Sequence, residues 1–289
     1  MPTKIEKDAV TGTDTTGHEW DGIKELNTPL PKWWLYTFYA TILWALGYFV
    51  LYPAWPGLSG HTAGVLGWTM RGEISESLAQ AAAAQAPFVN RIGAASLEDI
   101  AKSTDLRNFA IAGGRSVFAV NCAPCHGAGA AGSKGFPNLV DDNWIWGGTL
   151  DDIHTTIQNG IRNSNPDSRI SQMPRFGADK ILDAKQIDDV AEYVLSLSRR
   201  SRNAAAVERG AVVFSENCEA CHLQGGVGNP EMGAPSLAAN IWLYGGDKAT
   251  LVETITNSRA GAMPGWSERL DAARIKMLTV YVHALGGGK

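Results

Sequence analysis

The four cysteines of the chain fall into two pairs with one spacing, CAPCH at residues 122–126 and CEACH at residues 218–222. Each motif holds two thiols three positions apart and then, at once, an imidazole: Cys122, Cys125 and His126, and Cys218, Cys221 and His222. Thiols so placed can form thioethers with the two vinyl groups along one side of a porphyrin, while the adjacent histidine offers a nitrogen to the iron. This is the pattern of c-type haem attachment, and its two copies predict two covalently bound haems c. Disulfide bridges would need no histidine after each pair. A zinc site would draw both motifs onto one metal, and a dithiol redox site would need a βαβ setting that is absent.

A sixth iron ligand must come from elsewhere in the chain, and Met173 and Met263 are the candidates. Each precedes a proline in a glycine-containing loop, 47 and 41 residues after the histidine of its own copy. A thioether opposite histidine raises the potential of the iron and fills its last coordination site. Met232 follows His222 too closely to cross the ring, and Met277 falls inside a final helix, where packing is expected. His154 and His283 sit in helical stretches as solvated or capping residues, and His18 and His61 lie outside the copies. The spacing leaves open which methionine serves which haem: each copy using its own is the simple default, but similar domains packed face to face can exchange these loops. Trp144, Trp146, Trp242 and Tyr244 either hydrogen-bond haem carboxylates or wall the pockets. Arg162 and Arg175 either reach those carboxylates or stay on the surface. The pairs Asp141-Asp142, Asp151-Asp152 and Asp188-Asp189 read as a solvated face before they read as a steering patch for a basic cytochrome.

The motifs belong to a repeat. Residues 114–126 align with 210–222 at an offset of 96, and Pro137, Leu139, Trp144, Gly147 and Asn159 align with Pro235, Leu237, Trp242, Gly245 and Asn257 at an offset of 98. Two copies argue for tandem domains, not a solenoid. Apolar residues at helical spacing precede each cysteine pair, and each copy ends in an amphipathic run, Ile187 to Leu197 and Ile275 to Leu285. The expected fold is all-α, with cytochrome c domains over residues 108–199 and 205–289.

Upstream, residues 33–52 run without a charge for twenty positions, about 30 Å of helix and therefore the thickness of a bilayer core. Aromatic residues flank it at both ends. An uncleaved transmembrane helix is expected, since 32 residues precede it and no small-residue cleavage site follows closely. Residues 1–32 read as a largely extended cytoplasmic arm, because Lys24 and Lys32 lie just before the span and the first basic residue after it is Arg71. Residues 53–107, rich in Ala, Gly and Ser, read as a periplasmic linker with some helix. A net charge of -4 over 289 residues leaves no basic footprint for nucleic acid.

The order of parts resembles a known family. The segment HEWDGIKELNTPLPKWW (residues 18–34), one span and two cytochrome c domains are similar to the dihaem subunit, subunit III, of the cbb3-type cytochrome c oxidases. That resemblance implies a redox subunit and not an enzyme in isolation, lodged in a bacterial inner membrane. It implies electrons taken from a donor cytochrome c and passed to a monohaem cytochrome subunit, which feeds a haem b–copper centre. It also implies Met173 and Met263 as axial ligands. Some family members have two N-terminal spans, whereas this chain shows one. The rival reading is a dihaem subunit of another membrane complex, such as a dehydrogenase.

Overall fold

The computed structural model describes residues 4–288. It divides into two compact units, Met1–Ala83 and Ala84–Lys289.

In the first unit, strands β1 (Thr15–Trp20) and β2 (Ile23–Leu26) form an antiparallel hairpin in which Trp20 pairs with Ile23. The arm is therefore folded over part of its length. Its turn residues, Asp21 and Gly22, both take positive φ, as a two-residue primed turn requires, and Asp-Gly is among the sequences that favour it. Helix α1 (Lys32–Leu51) follows. It starts after Pro31, a residue suited to a helix N-terminus because it has no N–H to satisfy, and none of its residues is buried. Exposure all round distinguishes it from the core helix of a soluble domain, which would be mostly buried. A short hairpin, β3 (Pro56–Gly57) and β4 (Gly60–His61), comes next.

The segment 53–107, expected to be a linker with some helix, is helical over most of its length. Helix α2 (Met70–Ala94) is followed by α3 (Leu97–Lys102). Ile92, Leu97 and Ile100 are buried with Ala273, Met277 and Val280, far along the chain. Ile92, Leu97 and Ile100 are thus core residues of the second unit, whereas Met70, Ile74 and Leu78 earlier in α2 stay exposed.

That unit is helical throughout its regular elements. Helix α4 (Thr104–Asn121) leads to the single turn α5 (Ala123–His126), then α6 (Leu150–Asn159) and α7 (Ala184–Leu197). The second copy repeats this order with α8 (Ala204–Asn217), the turn α9 (Glu219–His222), α10 (Lys248–Asn257) and α11 (Ala272–His283). The start and stop signals are plain: Thr149, Asp183, Asp247 and Asp271 each accept a hydrogen bond from the backbone at the third helical position.

Packing crosses the sequence repeat. The final helix of the first copy, α7, packs on α8, and the final helix of the second, α11, packs on α4. Both crossings depend on a glycine. A Cβ on Gly114 would overlap the Met277 carbonyl, and one on Gly210 would overlap the Asp189 carbonyl. Each crossing also pairs two rings: Phe118 with Tyr281, centroids 5.5 Å apart, and Phe214 with Tyr193, 4.9 Å apart.

Candidate functional site

The two Cys-x-x-Cys-His turns have the same backbone. In the first, the amides of Cys125 and His126 donate to the Cys122 carbonyl at 3.1 and 2.9 Å; in the second, those of Cys221 and His222 donate to Cys218 at the same distances. One helical turn thus brings each pair of thiols, three positions apart, to one side. All four thiols are free, none paired with another. Among the described residues, no three His, Cys, Asp or Glu side chains converge as a metal site would need, which disfavours shared zinc. Burial pushes the Cys122 and Cys218 thiols up to about 11, with the neighbouring cysteine adding to the effect, so both are protonated at neutral pH.

Each histidine is oriented from behind. His126 Nδ1 lies 3.0 Å from the Pro137 carbonyl and His222 Nδ1 lies 3.0 Å from that of Pro235. A carbonyl can only accept, so Nδ1 carries the proton and Nε2 keeps its lone pair for a metal. Burial lowers both pKa values, against the opposing effect of the carbonyl. The neutral, ligand-competent imidazole is therefore favoured. The prolines align between the copies, but nothing in the sequence marks their carbonyls as partners.

The methionines lie across the repeat boundary from their own motifs. Met263 packs against the cluster built from Phe118, Cys122, Ile153, Ile157 and Leu278. Its backbone exchanges two hydrogen bonds of 2.9 Å with Ile161, and Asn163 Nδ2 donates to its carbonyl at 2.7 Å. Met173 packs against the cluster of Val190, Phe214, Leu251 and Ile255, together with Cys218. Ser258 Oγ donates to its carbonyl at 2.7 Å, and the Phe176 amide donates to Ile255 at 3.1 Å. A cavity of about 210 Å³ holds Met173 together with Cys218, Cys221 and His222. A larger cavity of about 900 Å³ lies between the copies, lined by Pro137 and Trp144 from one and Pro235, Trp242 and Tyr244 from the other.

The other residues singled out in the sequence separate clearly. Met277 is buried in α11, and Met232 is exposed. Trp146 is buried beneath the Arg169 guanidinium, and the Tyr244 ring lies under that of Arg259. Arg162 is engaged with the Gly261 and Ser171 carbonyls, at 2.6 and 2.8 Å, while Arg175 pairs on the surface with Asp179. The Asp188-Asp189 pair is not a free solvated face. Asp188 pairs with Lys248, and Asp189, with a side chain only 6% exposed, pairs with Lys185 and Arg209.

These residues fit haem. The thiol pairs are free, the histidines present Nε2, and the Trp242 indole N–H, which lines both cavities, is buried without an acceptor. A predominantly helical fold with two such turns defines a dihaem c-type cytochrome, carrying two covalently bound haems c. Comparison with known proteins narrows the class. Residues 12–59 match a family model described as the N-terminal domain of cytochrome oxidase-cbb3, FixP. Residues 109–194 and 205–282 each match the model for cytochrome c oxidase, cbb3-type, subunit III. The chain is 57% identical to the cbb3-type cytochrome c oxidase subunit CcoP of Azospirillum brasilense, over 98% of this chain and 99% of that one. It is 53% identical to the subunit FixP of a Bradyrhizobium species over the whole of both chains. With CcoP of Cereibacter sphaeroides the identity is 50%, over 95% of each. The chain belongs to the subunit III family of the cbb3-type cytochrome c oxidases, and its single apolar N-terminal helix fits a single-pass inner-membrane subunit.

Proposed function

We propose that the chain relays single electrons within a cbb3-type oxidase, using Cys122, Cys125, His126 and Met263 at one haem and Cys218, Cys221, His222 and Met173 at the other. The observation that carries this assignment is the crossing itself: Met263 packs beside Cys122, and Met173 beside Cys218. Each haem, when bound, supplies one-electron chemistry through its ferric and ferrous states. The cysteine thiols would tether it through thioethers. His126 and His222 present Nε2 because Nδ1 is committed to a proline carbonyl. Met263 and Met173 would supply a thioether sulfur to each iron, which would raise the potential and keep small molecules off it. No residue need act as general acid or base. The haem-binding modules are then residues 104–159 with 263–283, and residues 173–197 with 204–257, each drawing on both sequence copies.

The electrons come from a donor cytochrome c and pass to the monohaem subunit and the haem b–copper centre. The arm is cytoplasmic and the haem modules periplasmic; Lys24 and Lys32 beside the span support that orientation. Haem and copper analysis of the tagged chain, purified in mild detergent, tests the partnership. Haem b and copper should arrive with haem c, and the preparation should consume oxygen from reduced cytochrome c. Haem c alone, with no oxygen uptake, would sink the reading.

The ligand assignment has its own test in a chain carrying Cys218→Ser and Cys221→Ser, which keeps only the first haem. There Met263→Ala should abolish the sulfur-to-iron charge-transfer band and admit carbon monoxide to the ferrous iron. Met173→Ala should do neither, and the opposite pattern would restore pairing within each copy.

A further inference from the structure

Trp144 and Trp242 are equivalent positions. Each opens a run that ends in two glycines, residues 144–148 and 242–246, and each indole edge lies against the second glycine of its run. Their indole N–H groups are nonetheless used differently. Trp144 Nε1 donates to the Gly287 carbonyl. Trp242 Nε1 is buried and has no partner.

A buried donor left unpaired costs about 1–3 kcal/mol, so an isolated case marks a missing acceptor. Three buried side-chain polar atoms lack partners among the described residues: Thr156 Oγ1, Arg169 Nε and Trp242 Nε1. Of these three residues, only Trp242 lines either of the two cavities, and it lines both. The smaller cavity also contains His222 and Met173, the ligand pair assigned above to the second iron. The only oxygens a haem c carries are those of its two propionate carboxylates.

We infer that Trp242 Nε1 donates a hydrogen bond to a carboxylate of the second haem, and that the first haem lacks this bond because Gly287 takes the matching N–H of Trp144. The inference rests on the ligand assignment and deepens it. Gly287 is built for its part. It is buried, and a Cβ there would overlap the Asp141 carbonyl, so only glycine lets the backbone come close enough to hold Trp144. A donor to the carboxylate draws off negative charge close to the iron. With less negative charge beside it, the ferric iron is stabilised less than before relative to the ferrous, and the potential of the second haem is held up. Without the donor, the carboxylate is also easier to protonate, so the potential becomes more dependent on pH.

The test is a spectroelectrochemical titration of the full chain in detergent at several pH values. Trp242→Phe should lower one of the two midpoints and make that midpoint more sensitive to pH, with both charge-transfer bands intact. Trp144→Phe should move neither. Unchanged midpoints in Trp242→Phe, or an equal shift in Trp144→Phe, would overturn the inference while leaving the ligands as assigned. Native protein without charge-transfer bands would instead overturn the ligand assignment. A measurement on the unsubstituted chain covers the case in which Trp242→Phe fails to hold haem. With ¹⁵N-labelled tryptophan, the Trp242 indole N–H should resist hydrogen exchange and shift when the second iron is oxidised; rapid exchange with no shift would overturn the proposal.

Discussion

Leu223 follows His222 in the position that Gly127 holds after His126, and the two residues share one unusual backbone conformation. Leu223 has φ 60° and ψ 168°, and Gly127 has φ 79° and ψ 155°. This region is close to glycine-only, and a side chain held there costs about 1–3 kcal/mol. The leucine side chain is 40% exposed, so it recovers little of that by burial. Leu223→Gly should therefore stabilise the chain by about 1 kcal/mol after the extra freedom of glycine in the unfolded state is subtracted. A higher thermal midpoint with an unchanged haem spectrum would bear this out, and a lower one would show that Leu223 packs against something that offsets its strain. At this scale the sequence was most legible. Cysteine and histidine spacing is dictated by the porphyrin, so it could be read directly. The pairing of the methionines could not, because two similar copies offer equivalent loops. The proposed pairing rests on contacts made by Ile161, Asn163 and Ser258, none of which belongs to a recognisable motif.

The elements are held by a few polar clamps, and two of them can be tested separately. Lys276 on α11 donates to the Gly93 and Ala95 carbonyls, at 2.9 and 2.6 Å, at the end of α2. A cation bonding the last carbonyls of a helix satisfies groups that have no partner within it. Lys276→Met keeps the aliphatic stem and should loosen α2 and α3 by about 2 kcal/mol, seen as faster amide exchange in those helices alone. The second clamp joins α7 to α8. Arg209 first, and then Lys185, holds the Asp189 carboxyl well below the usual carboxylate range. A carboxyl depressed in the folded state stabilises it fully above the unfolded pKa of about 4, and that contribution drains away as pH falls toward the folded value. Asp189→Asn should thus cost about 2 kcal/mol at neutral pH, and urea midpoints of the two chains should converge below about pH 4. A difference independent of pH would assign the effect to packing. The helices around the motifs were legible from apolar spacing. The arm hairpin was missed although Asp21-Gly22 announced it, because its strands bury only the small residues Thr15 and Gly17 and so show no apolar alternation. The docking of α3 on α11 was missed because Ala273, Met277 and Val280 lie more than 170 residues away.

At the scale of the molecule, the proposed pairing leaves neither sequence copy with a complete pocket. A chain ending after residue 203 would keep the first motif and Met173 but lose α11 and Met263. Its ferrous haem should bind carbon monoxide, whereas that of the full chain should not; a closed, methionine-ligated haem in the short chain would show that the copies are self-sufficient. The two halves of the helical unit should likewise unfold together, since α4 with α11 and α7 with α8 tie each copy to the other.

If Met263 serves the first haem as proposed, the crossing sets a timetable for synthesis. Met263 lies 137 residues beyond His126, and at roughly 5–20 residues per second that stretch takes about 7 to 27 s to make. For that interval the first motif stands open, with no roof yet in existence, and an attachment enzyme can reach its thiols. The second motif has no such interval of grace. Met173 and α7 are already made when Cys218 appears, so its pocket can begin to close as soon as α10 follows. The two haems are thus exposed to insertion for unequal times, and the second is the one that a slow attachment machinery would leave empty.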